Sequence, residues 1–308
     1  MIRLLLFSFF FCFTYSTMAQ NENHWQQIRN KTAKELQALV DQLKGVAGVA
    51  VLDLKDREKV GVNTDLVFAQ GSSIKIPILM EVFKQANEGK FKLSDVRTVQ
   101  KTDQIGGSGV LHVLEAGSVQ MTIRDLATLM MVLSDNTATN MLIDLVGMEN
   151  INRTLLGLGF TKTKVQRKMI QPQESAKGNE NISSPDEALL ILEMLYQGKF
   201  ISPQISEEIM VILKKRGEYD SSDLKAGLPP HVSVALKDGA VSGVSTEWMI
   251  VLLPERPFAI VFMENYELDD ESVPVMKAIS KLMYEYFWRK GNVTKYGVFV
   301  NPSLLKKD

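Results

Sequence analysis

The chain has 308 residues, with 35 lysines and arginines against 36 aspartates and glutamates, a net charge of −1, and 45% hydrophobic residues. With no block of either sign, it offers no electrostatic footprint for nucleic acid, which needs a clustered basic face. A small molecule is the expected partner, and the apolar content suits one big domain or two closely joined ones.

The first twenty residues read as an export signal, because Arg3 precedes an apolar run from Leu4 to Tyr15 and the small-residue segment Ser16-Thr17-Met18-Ala19-Gln20. Cleavage is expected near Ala19, with a periplasmic or secreted destination. Neither this run nor any later one reaches the roughly 20 apolar residues that cross a bilayer, so no membrane span is expected. The single cysteine, Cys12, lies inside the signal behind Phe9, Phe10 and Phe11, which do not form a lipoprotein cleavage box. The mature chain therefore has no disulfide, no thiolate metal site and no cysteine nucleophile.

Residues 25–43 carry Ile28, Leu36, Leu39, Val40 and Leu43 at helical spacing, and Gly45 stops the helix. Residues 49–54 and 59–68 read as strands around the charged turn Lys55-Asp56-Arg57. From Ser72 to Gly217 the pattern is mostly helical, with runs at 76–87, 123–133, 137–146 and 185–196. After Pro229-Pro230 come strands at 232–237, 248–253 and 258–263, then a striped helix at 273–288. There is no internal repeat. Strands at both ends of the chain predict an α/β (α+β) fold, in which an antiparallel sheet built from 21–71 and 225–290 is flanked by helices. A helical insertion domain spans 72–224, the site lies at the seam, and 291–308 form a loosely attached tail.

Three short stretches carry the chemistry. In Ser72-Ser73-Ile74-Lys75 the serine and lysine are three apart, on one helix face, and the starting helix aims free N–H groups at Ser72. A serine hydroxyl needs a base, and Lys75 can serve if burial or a second cation lowers its pKa. Taken alone, the spacing also describes an ordinary helix start with a solvated lysine. Ser73 has Ile76 as its partner three residues on, so Ser72 is the candidate. Ser134-Asp135-Asn136 lies between two helical runs, where it also suits a helix cap. Lys237-Asp238-Gly239 falls at the end of a predicted strand, where Lys237 supplies positive charge and Gly239 permits close backbone approach.

This order of motifs resembles the Ser-x-x-Lys, Ser-Asp-Asn and Lys-Thr-Gly set of class A β-lactamases and penicillin-binding serine hydrolases. The likeness extends through Phe68-Ala69-Gln70-Gly71, Ile76-Pro77-Ile78-Leu79 and Thr137-Ala138-Thr139-Asn140. It implies a Ser72 acyl-enzyme with Lys75 as base, Ser134 as proton relay, Asn136 on the substrate amide and Lys237 as anion anchor. Ala240 N–H then joins the helix-start amide as the second oxyanion donor. No cofactor or metal is implied, and a monomer is expected.

Two departures stand out. Asp238 replaces the hydroxyl residue that helps bind the substrate carboxylate, and repels an anion there unless it is paired with Lys237 or turned away. In Arg167-Lys168-Met169-Ile170-Gln171-Pro172 neither the glutamate nor the asparagine of the family's Glu-x-x-Leu-Asn appears. Met169 falls at the glutamate's place, and a thioether is no general base. Glu174 and Glu180 are the nearest carboxylates. Slow release of the acyl group is expected, with an esterase, a D-amino-acid peptidase or a non-catalytic binding protein for cell-wall peptides or β-lactams as alternatives. A Ser-His-Asp hydrolase is disfavoured, since His24, His112 and His231 are the only histidines and no Gly-x-Ser-x-Gly elbow occurs. The cluster Gly106-Gly107-Ser108-Gly109 lacks a phosphate-binding fingerprint.

Overall fold

The computed structural model describes residues 24–219, 222–268, 270–294 and 296–300, so the expected export signal lies outside the described residues. In chain order, helix α1 covers 24–40. Strands β1 (Val46–Asp53), β2 (Lys59–Val62) and β3 (Phe68–Ala69) follow, and a 3₁₀ turn, Gly71–Ile74, opens into α2 (Lys75–Asn87). The middle of the chain holds β4 (Val96–Thr98), β5 (Gln120–Thr122), α3 (Ile123–Val132), α4 (Asn136–Val146), α5 (Met148–Gly157), α6 (Pro172–Ala176), β6 (Ile182–Ser183), α7 (Pro185–Tyr196) and α8 (Pro203–Tyr219). The chain returns through β7 (Val234–Val241), β8 (Val244–Val251) and β9 (Phe258–Asn265) to α9 (Ser272–Asn292).

The main sheet has the order β2-β1-β9-β8-β7 and every pairing is antiparallel. β1, from the start of the chain, lies beside β9, from its end, so the sheet is assembled from both termini as the pattern of strands predicts. Its central strands are buried along nearly their whole length because helices cover both faces. Leu36 and Val40 of α1 pack with Val275, Ile279, Met283 and Phe287 of α9 on one face, against Val49, Val51, Phe258 and Ile260. On the other, Ala50, Trp248, Ile250 and Val261 share a core with α2, α3, α4, α7 and α8. Burial of that apolar area, at about 25 cal/mol per Å², is the main stabilising contribution. No described helix is long and apolar enough to cross a membrane.

Three expected elements differ in detail. The run 59–68 is not one strand, because Asn63 takes a left-handed φ of 51° and ends β2. The mostly helical middle also contains a β4–β5 hairpin and β6, which pairs with β3. The strand predicted to stop at Lys237 runs on to Val241, so Lys237-Asp238-Gly239 lies within β7 rather than at its end. Of the last segment, Val293 bridges Phe299 and the Phe299 ring lies 5.0 Å from that of Trp288. Residues 301–308 lie outside the described residues.

Candidate active site

α2 is buried along most of its length, and its first residue is Lys75, the candidate base. Pro77 sits within the first turn, where a missing N–H breaks no helix bond. Among the described residues Lys75 Nζ pairs with no carboxylate; it donates to Ser134 O at 2.7 Å, Ser134 Oγ at 3.0 Å and Asn136 Oδ1 at 3.1 Å. Burial, reinforced by the Lys237 charge, holds its pKa well below the ordinary lysine value. Neutral oxygens solvate an ammonium less well than water does, which favours the free amine, a proton acceptor. Ser72 lies in the 3₁₀ turn just before Lys75, half-buried, and its Oγ makes no hydrogen bond among the described residues.

Asp135 fulfils the cap reading of the second motif. Its Oδ1 accepts from Ala138 N at 2.9 Å at the start of α4, and its Oδ2 accepts from Val110 N at 2.7 Å and Leu111 N at 2.9 Å. With Asp135 holding the backbone, Ser134 and Asn136 are left to face Lys75. Ser134 has a left-handed φ of 53°, rare for a residue with a side chain and costing about 1 kcal/mol or more. The glycine cluster serves this loop. A Cβ on Gly109 would come within 2.2 Å of Asp135 Oδ2, and one on Gly107 within 2.7 Å of Asn136 Nδ2.

β7 is one of the two edge strands of the sheet. Leu252 N donates to Ser233 O at 2.9 Å, and the register then makes odd-numbered β7 residues bond β8 while Asp238 and Ala240 turn their N–H and C=O to the open edge. The 3₁₀ turn fills that edge. A Cβ on Gly239 would stand 2.5 Å from both Ser72 N and Ser73 N, and one on Gly71 would stand 3.0 Å from Ala240 N, so both glycines are required by close approach. The amides of Ser72 and Ala240 are thereby brought to one corner.

Lys237 is fully buried and donates to Asp238 O at 2.7 Å and Asp238 Oδ1 at 3.1 Å, not to Ser134. Burial lowers its pKa, opposed by the Asp238 charge. Asp238 is paired twice, since Arg216 Nε on α8 donates to the same Oδ1 at 2.8 Å. Although partial burial disfavours its charge, Lys237 and Arg216 outweigh that and hold its carboxyl well below the usual carboxylate range. Asp238 is thus both paired and still partly exposed.

The loop from 165 to 181 is closed at its neck. Lys164 bridges Ile182, Asn181 Oδ1 accepts from Gln166 N at 2.8 Å and Arg167 N at 3.1 Å, and Arg167 grips Glu180 Oε2 at 2.7 and 3.0 Å. Asn140 clamps Met169, accepting from Met169 N at 2.8 Å and donating to Met169 O at 3.2 Å. Asn136 and Asn140 are four apart on α4, so Met169 is held about one helical turn, about 5.4 Å, along from the Lys75 contact. Met169 is buried in the apolar core. Glu174 pairs with Lys177 and Asn179.

The family model described as the beta-lactamase enzyme family matches residues 31–287. The chain belongs to the beta-lactamase enzyme family. It is 26% identical over 282 residues to a beta-lactamase of Citrobacter koseri, covering 90% of this chain and 94% of that protein. The solved beta-lactamase of Sphaerobacter thermophilus matches the fold with a TM-score of 0.76 at 24% identity, over 84% of this chain and 97% of that one. A PBP-A mutant, solved as an acyl-enzyme complex with penicillin G, matches with a TM-score of 0.75 at 25% identity, over 84% and 97%. This member of the family is a serine hydrolase of the β-lactamase type, and family and fold support β-lactam hydrolysis in general.

Within that family frame, Arg216 and Thr246 escaped the sequence reading. Arg216 reads as one more charge in Lys214-Lys215-Arg216, and only its burial marks it. Gln70 receives the indole N–H of buried Trp248 at 3.0 Å. Thr246 Oγ1 donates to Gln70 O at 2.8 Å and lies 2.8 Å from Ser73 Oγ, which fixes the turn from beneath. A separate cavity of about 1030 Å³, lined by Trp25, Arg29, Glu58, Lys290 and Phe299, contains no motif residue.

Proposed function

We propose that the protein is an exported class A β-lactamase-like enzyme that opens β-lactams through a Ser72 acyl-enzyme and releases the acyl group slowly. The observation that carries this reading is Lys75, buried, hydrogen-bonded to neutral oxygens, and adjacent in the chain to the Ser72 turn. Ser72 Oγ bonds to the lactam carbonyl carbon as its proton passes to Lys75 Nζ, and the C–N bond breaks as Ser134 relays a proton to the nitrogen. The Ser72 and Ala240 amides receive the oxyanion, and Asn136 holds the substrate amide. Water then cleaves the ester and restores Ser72. Among the described residues that second step finds no free carboxylate on the loop, since Met169 takes the clamped position and Glu174 and Glu180 are engaged with Lys177 and Arg167.

Intact mass of the mature chain with benzylpenicillin tests this. One acyl mass is expected to appear and persist, with none on Ser72→Ala. No adduct on the unaltered chain, or an equal adduct on Ser72→Ala, contradicts it.

A further inference from the structure

We infer that Asp238 is a built-in carboxylate that selects acyl donors ending in a neutral ester or amide, rather than in a free carboxylate, at the anchor end of the site. This rests on the Ser72 reading and names its substrate class. The two cations of the anchor are already engaged by Asp238 Oδ1, Arg216 at 2.8 Å and Lys237 at 3.1 Å. Exposure decides what an incoming group meets. The Arg216 side chain is 9% exposed and Lys237 is 0% exposed, whereas Asp238 is 36% exposed. The face offered to a ligand is the carboxylate, with the cations behind it. Asp223 also lies near enough to feel the Asp238 charge, while Glu247, opposite Asp238 on β8, is kept protonated by burial up to about 8 and adds no charge below that. Pairing with the two cations behind it does not shield the exposed side of Asp238, so a substrate carboxylate meets the Asp238 charge first and is repelled at short range. A donor with a neutral ester or amide at that end meets no such repulsion, and its separate scissile bond still undergoes the same exchange, in which the Ser72 Oγ–C bond forms, the bond to the leaving oxygen or nitrogen breaks, and the serine proton goes to that atom.

The test compares Ser72 acylation by benzylpenicillin and by its methyl ester, read by intact mass, in the unaltered chain, Asp238→Thr and Asp238→Asn. The ester is expected to acylate the unaltered chain at least as fast as the free acid. Asp238→Thr is expected to raise the acid-to-ester rate ratio roughly tenfold or more, as removal of one charge at contact range implies. Asp238→Asn, which keeps the shape, moves the ratio the same way. An unaltered chain that prefers the acid, or a ratio that neither variant raises, overturns the inference while leaving the Ser72 reading in place. No adduct from either compound overturns the Ser72 reading, and this one with it.

Discussion

Helix α4 divides two regions of very different character. At one turn Asn136 meets Lys75 and Ser134 in a cluster of polar groups that is buried yet hydrogen-bonded. At the next, Asn140 holds the backbone of Met169, whose side chain has nothing to give or take a proton. Both regions are equally well held, so the difference is one of chemistry rather than order. In the proposed mechanism, making an ester at Ser72 and hydrolysing it draw on different turns of α4, and the second turn holds Met169 where a carboxylate would serve.

Replacing Lys75 with Met has the largest expected effect. It keeps the volume and removes the base, so acylation by benzylpenicillin should fall by about 10²- to 10⁴-fold. An unchanged rate erases the contrast between the two sides. Because the Lys75 pKa is lowered, its amine is free well below the ordinary lysine range, so acylation should rise with pH and level off well under 10.5. A rate still climbing at 10.5 contradicts this. Met169→Glu places a carboxylate on the residue whose backbone Asn140 clamps, and adduct clearance should quicken roughly tenfold or more. Clearance no faster than before would show that the missing carboxylate is not what slows release.

Smaller effects concern stability. Glu247, buried against Ser222 Oγ and Leu224 N, has its pKa pushed up to about 8 by desolvation. Between 4.5 and about 8 the folded chain keeps a proton that the unfolded chain has lost, so stability falls as pH rises through that window and levels off above it. Glu247→Gln should remove that slope, on the order of a few kcal/mol across the window, in denaturant titrations at several pH values. Parallel curves for the two proteins contradict it. Glu180→Gln weakens the Arg167 grip at the loop neck and should cost on the order of 1 kcal/mol, read by thermal unfolding, without changing acylation. A matching loss of acylation would mean that the loop supports the nucleophile side as well.

What was legible in the sequence follows from what is local. The Ser72–Lys75 spacing, the helix-capping Asp135 and the apolar strands at both chain ends are set within a few residues, and the sheet joins the termini as those strands predict. Arg216 was not legible, because its role depends on α8 lying beside β7, which no local pattern states. The extent of β7 was missed for a related reason. Gly239 reads as a strand end, yet it continues the strand because the Ser72 turn packs against its bare Cα. Met169 was legible as an anomaly, while its Asn140 clamp needed the fold.

The most direct measurement is a rapid-mixing trace of ring opening with a chromogenic cephalosporin in excess. The expected trace has a burst of product equal to the protein concentration and then a much slower steady phase, the mark of fast acylation and slow release. Steady turnover from the first instant at the burst rate would contradict the division of the site into a complete half and an incomplete one.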